Sequence, residues 1–80
     1  MIEYKQLKPG MMFRASTYLL SYNKSHGHMV YVVPGDLLFV VVVDIRDKDD
    51  TATTIDVLTK HGDLVYFWCN RWLLERLDQV

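Results

Sequence analysis

Residues 37–47 read LLFVVVVDIRD, and this stretch decides the fold. The first seven of them are apolar and mostly β-branched or aromatic, which favours a β-strand over a helix. Charged residues begin at Asp44, so the apolar part is long enough for a strand and too short for a membrane span. We therefore predict a central strand here.

Both faces of this strand begin with apolar side chains. Alternation places Leu37, Phe39, Val41, Val43 and Ile45 on one face and Leu38, Val40, Val42, Asp44 and Arg46 on the other. The strand should therefore be covered on both sides at its start. Two covers fit: other strands of the same chain, if this strand bends from one sheet into another, or a second subunit.

The residues before the central strand predict two further strands. Residues 11–20 alternate as a half-buried first strand, with Arg14 and Ser16 on its solvent side. Residues 21–28, SYNKSHGH, predict a surface loop, and residues 29–33 a second strand. Pro34-Gly35-Asp36 is a turn signal, so the second and central strands should form a hairpin.

Two more strands follow the central one. Residues 46–53 are polar and predict an exposed loop, and residues 54–59 alternate with Ile55 and Val57 inward. A tight turn at His61-Gly62 makes the next hairpin. Residues 64–69, LVYFWC, are apolar on both faces and should also be covered on both sides.

The two ends of the chain are predicted to pack on this sheet. Residues 1–7 should form a short lead-in that packs or pairs at an edge. At the other end, Asn70 is a good N-cap for an amphipathic helix over residues 71–80, in which Leu73, Leu77 and Val80 share a face beside Trp72. Ten residues do not make a helix that is stable alone in water, so it should be docked.

Composition predicts a single domain over residues 1–80 in a reducing compartment. Half of the residues are apolar and the formal net charge is −1, so no overall field attracts nucleic acid or anionic membrane. Cys69 is the single cysteine, and its apolar neighbours predict a buried, inert thiol. The first residues lack an apolar signal region, and we expect a cytoplasmic protein.

The candidate metal ligands do not form a recognisable site. His26 and His28 lie in one predicted loop and His61 in another, whereas zinc needs three or four ligands brought together. An acidic cluster lacks the glycine and the terminal glutamate of a calcium loop; it comprises Asp44, Asp47, Asp49 and Asp50. Solvated loops explain both groups, and we predict no metal and no cofactor.

The sequence also predicts no catalytic centre. Cys69 ends an apolar strand, where burial raises a thiol pKa instead of activating the sulfur. Ser16, Ser21 and Ser25 have no nucleophile-elbow context, and no glycine-rich phosphate loop follows a strand. We therefore predict that the protein is not an enzyme.

An aromatic and basic group of side chains is the candidate partner-binding surface: Arg14, Tyr18, Tyr22, Lys24 and Tyr31. Such residues stack single-stranded bases, and they are equally enriched in protein–protein interfaces. Because nucleic-acid affinity depends on neutralising phosphates, the net charge favours a protein partner. A single-stranded RNA or DNA ligand is the alternative.

Two turn-plus-strand openings carry a resemblance. They are KPGMMF at residues 8–13 and PGDLLF at residues 34–39. With the strand spacing, they resemble small SH3-like barrels, which implies a mainly β fold of about five antiparallel strands in a small barrel or strongly bent sheet, closed here by the C-terminal helix. In being short, aromatic-rich and without catalytic motifs, the chain also resembles bacteriophage accessory proteins. That resemblance implies an inhibitor or adaptor that binds and modulates a host protein.

The apolar faces also predict a homodimer, or dependence on a partner surface. One short helix shields only part of the second faces of the two fully apolar strands. A symmetric contact through Val40, Val42 or Trp72, or pairing of sheet edges, would cover the remainder. Complete closure of a barrel within one chain is the alternative.

Overall fold

The computed structural model describes residues 6–24, 26–45 and 53–80. This part of the chain is mainly β, with seven antiparallel strands in one sheet and one short helix. The elements are β1 (Met12–Ala15), β2 (Leu19–Asn23), β3 (Met29–Val32), β4 (Leu37–Asp44), β5 (Thr54–Thr59), β6 (Leu64–Trp68), α1 (Arg71–Leu74) and β7 (Leu77–Gln79). The strand order is β3-β2-β6-β5-β4-β1-β7. No helix among these residues is long and apolar enough to cross a membrane.

The sheet is curled into a half-barrel, and the short connections show why. β1 and β2 are four positions apart in the sheet, yet only residues 16–18 join them. Four steps along an extended chain reach at most about 14 Å, whereas four strand spacings in a flat sheet measure about 19 Å. The sheet must therefore bend to bring Ala15 and Leu19 within reach.

The concave side of this sheet holds the core. Its buried apolar residues are Leu7, Phe13, Ala15, Leu19, Val32, Leu38, Val40, Ile55, Val57, Val65, Phe67, Cys69, Leu73, Leu74 and Leu77. The predicted inward positions of Ile55 and Val57 are confirmed, and so is the burial of Cys69. Helix α1 adds Leu73 and Leu74 to the core, and the Asn70 side chain caps it by accepting a hydrogen bond from the Leu73 N–H at 2.9 Å.

The central strand is confirmed, but its own chain covers only one of its sides; cover of the other side by a second subunit stays a prediction. Leu38 and Val40 point into the core, and the register then shifts between Val40 and Val42. A β-bulge adds one residue and reverses the alternation after it, so Val43 packs on the core and Val42 faces solvent. Phe39 is 41% exposed.

Strand β6 is likewise covered on one side only. Val65 and Phe67 are buried, whereas Trp68 is 56% exposed. The strand alternates in the ordinary way, and its other face carries the half-buried Tyr66 and the exposed Trp68.

The predicted first strand is two strands. Residues 16–18 interrupt it, and the Ser16 hydroxyl donates a hydrogen bond to the Arg76 carbonyl at 2.9 Å. The inward residues Phe13, Ala15 and Leu19 are nevertheless on the predicted face. The loop predicted from residue 21 starts later, because Ser21 and Asn23 belong to β2 and are buried.

One predicted hairpin is wrong and the other is confirmed. Pro34-Gly35 does form a turn, in which Gly35 has a φ of 92° and the Asp36 N–H donates to the Val33 carbonyl at 3.1 Å. However, β3 pairs with β2, and β4 pairs with β1 and β5. The hairpin at His61-Gly62 joins β5 and β6 as predicted.

The predicted C-terminal helix is confirmed in its start and its Asn70 cap, but its predicted length to residue 80 is wrong. Helix α1 has four residues, and β7 follows it along the free edge of β1. Pairing with β1 supplies partners for the backbone and buries Leu77, a gain that a ten-residue helix of marginal stability does not match. Val80 is exposed. The loop predicted at residues 46–53 and the lead-in at residues 1–7 lie mostly outside the described residues, although Leu7 is buried.

Candidate binding groove on the outer sheet face

The convex side of the sheet, which we call the outer face, is apolar and aromatic. Its exposed large side chains include Leu20, Tyr22, Met29, Tyr31, Leu37, Phe39, Val42, Leu58 and Trp68. They come from β2, β3, β4, β5 and β6, so they extend across most of the sheet. Exposed apolar patches of this extent mark binding sites more often than plain surface.

A groove lies on this face where four strands pair in register. Tyr22, Tyr66, Asp56 and Val42 stand opposite one another on β2, β6, β5 and β4. Trp68, Thr54 and Asp44 form the next row. The space between them is about 530 Å³ and we call it the outer groove; its lining is Tyr22, Lys24, Val42, Asp44, Thr54, Asp56, Tyr66 and Trp68.

Two tyrosines define one side of the outer groove. The rings of Tyr22 and Tyr66 meet edge to face, with centroids 6.5 Å apart and planes at 82°. This geometry is favourable for aromatic pairs and restrains both rings. The backbone at Gly27 passes close to Tyr22, since a Cβ atom added there would lie only 3.2 Å from the tyrosine hydroxyl.

The electrostatics of the outer groove are mixed, with carboxylates in excess. The Lys24 ammonium lies 2.9 Å from Oδ2 of Asp56. The Lys24 side chain is 49% exposed and that of Asp56 only 14%, so the carboxylate is at the floor and the ammonium at the rim. Asp44 adds a second carboxylate to the lining.

Strands β2 and β6 are joined by a short ladder. Only Tyr22 with Tyr66 and Asn23 with Val65 are opposite pairs. At the next position the Ser21 hydroxyl donates to the Tyr66 carbonyl. A hollow of about 200 Å³ opens beside this point, and its lining includes Leu20, Met29 and Phe67. It shares Tyr22, Tyr66 and Trp68 with the outer groove, so the two form one concave region.

The structure brings together some of the predicted partner-binding residues. Tyr22 and Lys24 line the outer groove, and Tyr31 lies opposite Leu20 on the same face. Tyr18 is exposed just before β2. Arg14 lies on β1 opposite Leu37 and Asp78, and it does not line the outer groove.

Sequence reasoning missed most of the groove lining. Tyr66 and Trp68 share one face of β6, and the sequence led us to expect that both faces of this strand are covered. Asp56 was expected to face outward, and it does so as part of the groove. The missing information is strand order, which places β6 beside β2.

The histidines and the cysteine are not part of the groove. The rings of His26 and His28 stack with centroids 5.9 Å apart. No three His, Cys, Asp or Glu residues within the described ranges are placed to hold a metal ion. Three of the clustered aspartates, at positions 47, 49 and 50, lie outside those ranges.

Comparison with protein-family models, curated proteins and solved structures finds no match.

Proposed function

We propose that this protein is a non-enzymatic interaction module that binds a protein partner through its outer face. The observation that carries the proposal is the distribution of apolar side chains. One side of the sheet packs a core, and the other side still presents large exposed residues such as Leu20, Tyr31 and Trp68. Soluble proteins rarely leave so much apolar surface open unless something covers it.

The outer groove is the centre of the proposed interface. Tyr and Trp are the residues most often found at interface hot spots, and they act best in concave places from which water is excluded. Tyr22, Tyr66 and Trp68 line such a place together. The edge-to-face contact between Tyr22 and Tyr66 reduces the entropy lost when a partner orders these rings.

A single-stranded nucleic acid is the second candidate ligand, because three aromatic rings in one groove are a possible stacking platform. The charges favour a protein instead. Stacking platforms for nucleic acids are combined with a positive groove that follows the phosphates. Here Asp44 and Asp56 share the lining with Lys24 as its basic residue.

The resemblance to SH3-like barrels and to phage accessory proteins gives the proposal a finer form. The curled sheet of short antiparallel strands supports the first. In that form, the protein is a cytoplasmic inhibitor or adaptor and its partner is a host protein.

A homodimer is a further proposal for the same apolar surface. Val40 is fully buried within its own chain, so it is no part of a contact between copies. Val42 and Trp72 are exposed and remain candidates. A second copy that covers Val42 would occupy the outer face. Such a dimer would double the molecular mass measured in solution.

The test of partner binding uses two exposed tryptophans. Trp68 lies in the outer groove, and Trp72, which is 53% exposed, lies on α1 outside it. We expect the wild-type protein and Trp72→Ser to capture the same partner from the native cell, and Trp68→Ser to lose it. The captured partner is then purified and its affinity for each variant measured directly.

Two results would count against this proposal. One is equal affinity of the partner for Trp68→Ser and Trp72→Ser. The other is an oligonucleotide that binds tightly and loses affinity steeply as salt increases, which would favour the nucleic-acid alternative.

A further inference from the structure

We infer that the outer groove accepts one positively charged side chain of the partner, a lysine or an arginine, between its aromatic rings and the Asp56 carboxylate. This inference depends on the proposed function and names the chemistry of the residue that enters. It follows from the ion pair already in the groove, the aromatic lining and the depth of the carboxylate.

The ion pair shows that the groove accommodates a cation. Lys24 reaches from the end of β2 to Asp56 on β5, with β6 between them, and its ammonium is 2.9 Å from the carboxylate. The chain's own lysine therefore marks a position where an alkylammonium group fits. A partner's basic side chain approaching from solvent would meet the same carboxylate.

The aromatic lining favours a cation over a neutral group. The faces of Tyr and Trp rings attract ammonium and guanidinium groups through their quadrupoles. Tyr22, Tyr66 and Trp68 line the same space as Asp56. A partner side chain thus finds apolar contact for its methylene groups and favourable electrostatics for its charged end.

The depth of Asp56 makes the site selective. Its side chain is 14% exposed and lies in register between Tyr66 and Val42. A partner that covers the groove would shield its own cation from solvent, and water would then screen that cation from Asp56 less than it screens the half-exposed Lys24. An acidic partner residue would be repelled at the same position.

Lys24 must leave before the partner's cation can pair with Asp56. Half of the Lys24 side chain is exposed, and ion pairs of that kind contribute little stability. Its backbone is held separately, since the Lys24 N–H donates to the Leu64 carbonyl at 3.0 Å. The side chain can therefore move to solvent while β2 stays in place, and Lys24 acts as a competitor for the incoming cation.

The experiment measures the binding of a small cationic probe. The full chain carries Trp72→Phe so that Trp68 is the one remaining tryptophan. The probe is N-acetyl-lysine N-methylamide, and its Nε-acetylated form is the neutral control; the arginine analogue is a second cation. Trp68 fluorescence and the amide resonance of Asp56 report binding.

We expect saturable binding of both cationic probes and none of the neutral one. Lys24→Met removes the competitor, keeps an apolar stem and should tighten binding by about threefold or more. Asp56→Asn should weaken it by about tenfold or more. Asp78→Asn, at an exposed carboxylate on β7, should change nothing. Thermal unfolding confirms that each variant is folded.

Equal responses to the charged and acetylated probes would overturn the inference, as would unchanged affinity in Lys24→Met. Its failure is distinguishable from failure of the proposed function. If Trp68→Ser loses the partner while the lysine probe does not bind, the interface is retained and the cation site is rejected. If the probe binds while Trp68→Ser retains the partner, the cation site is retained and the proposed interface is rejected.

Discussion

Lys60 and Asp36 connect two turns that are far apart in the sequence. The Lys60 ammonium, just after β5, lies 2.9 Å from Oδ1 of Asp36, just before β4. The other carboxylate oxygen accepts a hydrogen bond from the Val33 N–H at 3.2 Å. The hydrogen bond from Lys60 is the main cause that lowers the pKa of Asp36, and the bond from Val33 adds to it against the opposing effect of burial.

This pKa shift predicts how the Asp36 contribution depends on pH. The pKa of Asp36 is about 4 in the unfolded chain and lower in the folded chain. The ionised carboxylate therefore stabilises the fold above about pH 4. The contribution is lost as pH falls through the folded pKa. We expect Asp36→Asn to reduce the free energy of unfolding at pH 7 by about 0.5 kcal/mol, since Lys60 is half exposed.

Urea unfolding of wild type and Asp36→Asn between pH 7 and about pH 3 checks this prediction. The difference between the two proteins should shrink at the acid end. A constant difference over the whole range would show that the charge of Asp36 is not what stabilises the turn.

Thr53→Val should stabilise the protein. Thr53 is fully buried, and its hydroxyl has no hydrogen-bond partner within the described part of the chain. Valine has nearly the same shape and removes the cost of desolvating that hydroxyl, so we expect a gain of about 1 kcal/mol in the free energy of unfolding. Urea unfolding measures it. Thr59→Val is the control, because the Thr59 hydroxyl accepts the Asp63 N–H and its loss should not stabilise.

Asn70→Ala should destabilise the C-terminal region. The Asn70 side chain accepts the Leu73 N–H at the start of α1, and Leu73 is part of the core. Loss of an N-cap costs about 1 kcal/mol. Asn70→Asp preserves an acceptor and should retain most of the stability. Equal losses in the two variants would mean that the cap is not the cause.

The homodimer proposal predicts a change in mass with one substitution. If a second copy covers the outer face, wild type sediments as a dimer at micromolar concentration and Val42→Asp as a monomer. Trp72→Ser, on α1, tests the other candidate contact, and this variant should remain a dimer if the outer face is the interface. A monomeric wild-type protein would exclude the dimer and leave the outer face to a different partner.

Local alternation in the sequence predicted which side chains enter the core. Phe13, Ala15, Leu19, Ile55 and Val57 are on the expected faces because period-two alternation is a property of each strand alone. The Asn70 cap was also predicted, because it depends only on residues three positions apart in the sequence. The turn residues at Gly35 and Gly62 were also predicted, although only the second makes a hairpin.

The sequence did not predict the features that depend on which strands pair and in which register. The bulge after Val40 reverses the alternation in a run of valines, where no change of residue type marks it. The partner of β3 depends on how the sheet curls, and the groove brings Tyr22 beside Tyr66 only because β6 lies next to β2. Tertiary pairing likewise made Leu77 part of a strand instead of a helix.

The short ladder between β2 and β6 has a consequence for the native-state fluctuations of the molecule. The β2–β3 hairpin is attached to the rest of the sheet there by two opposite residue pairs and the flanking hydrogen bonds of Ser21 and Lys24, whereas β4 and β5 share six opposite pairs. Its amides should therefore exchange with solvent through local opening sooner than those of β4 and β5. Tyr22 and Tyr66 stand on the two sides of that ladder, and opening separates them. Whatever binds across both rings must therefore hold the hairpin closed, and slower amide exchange in β3, which does not line the outer groove, would report occupancy of the groove at a distance.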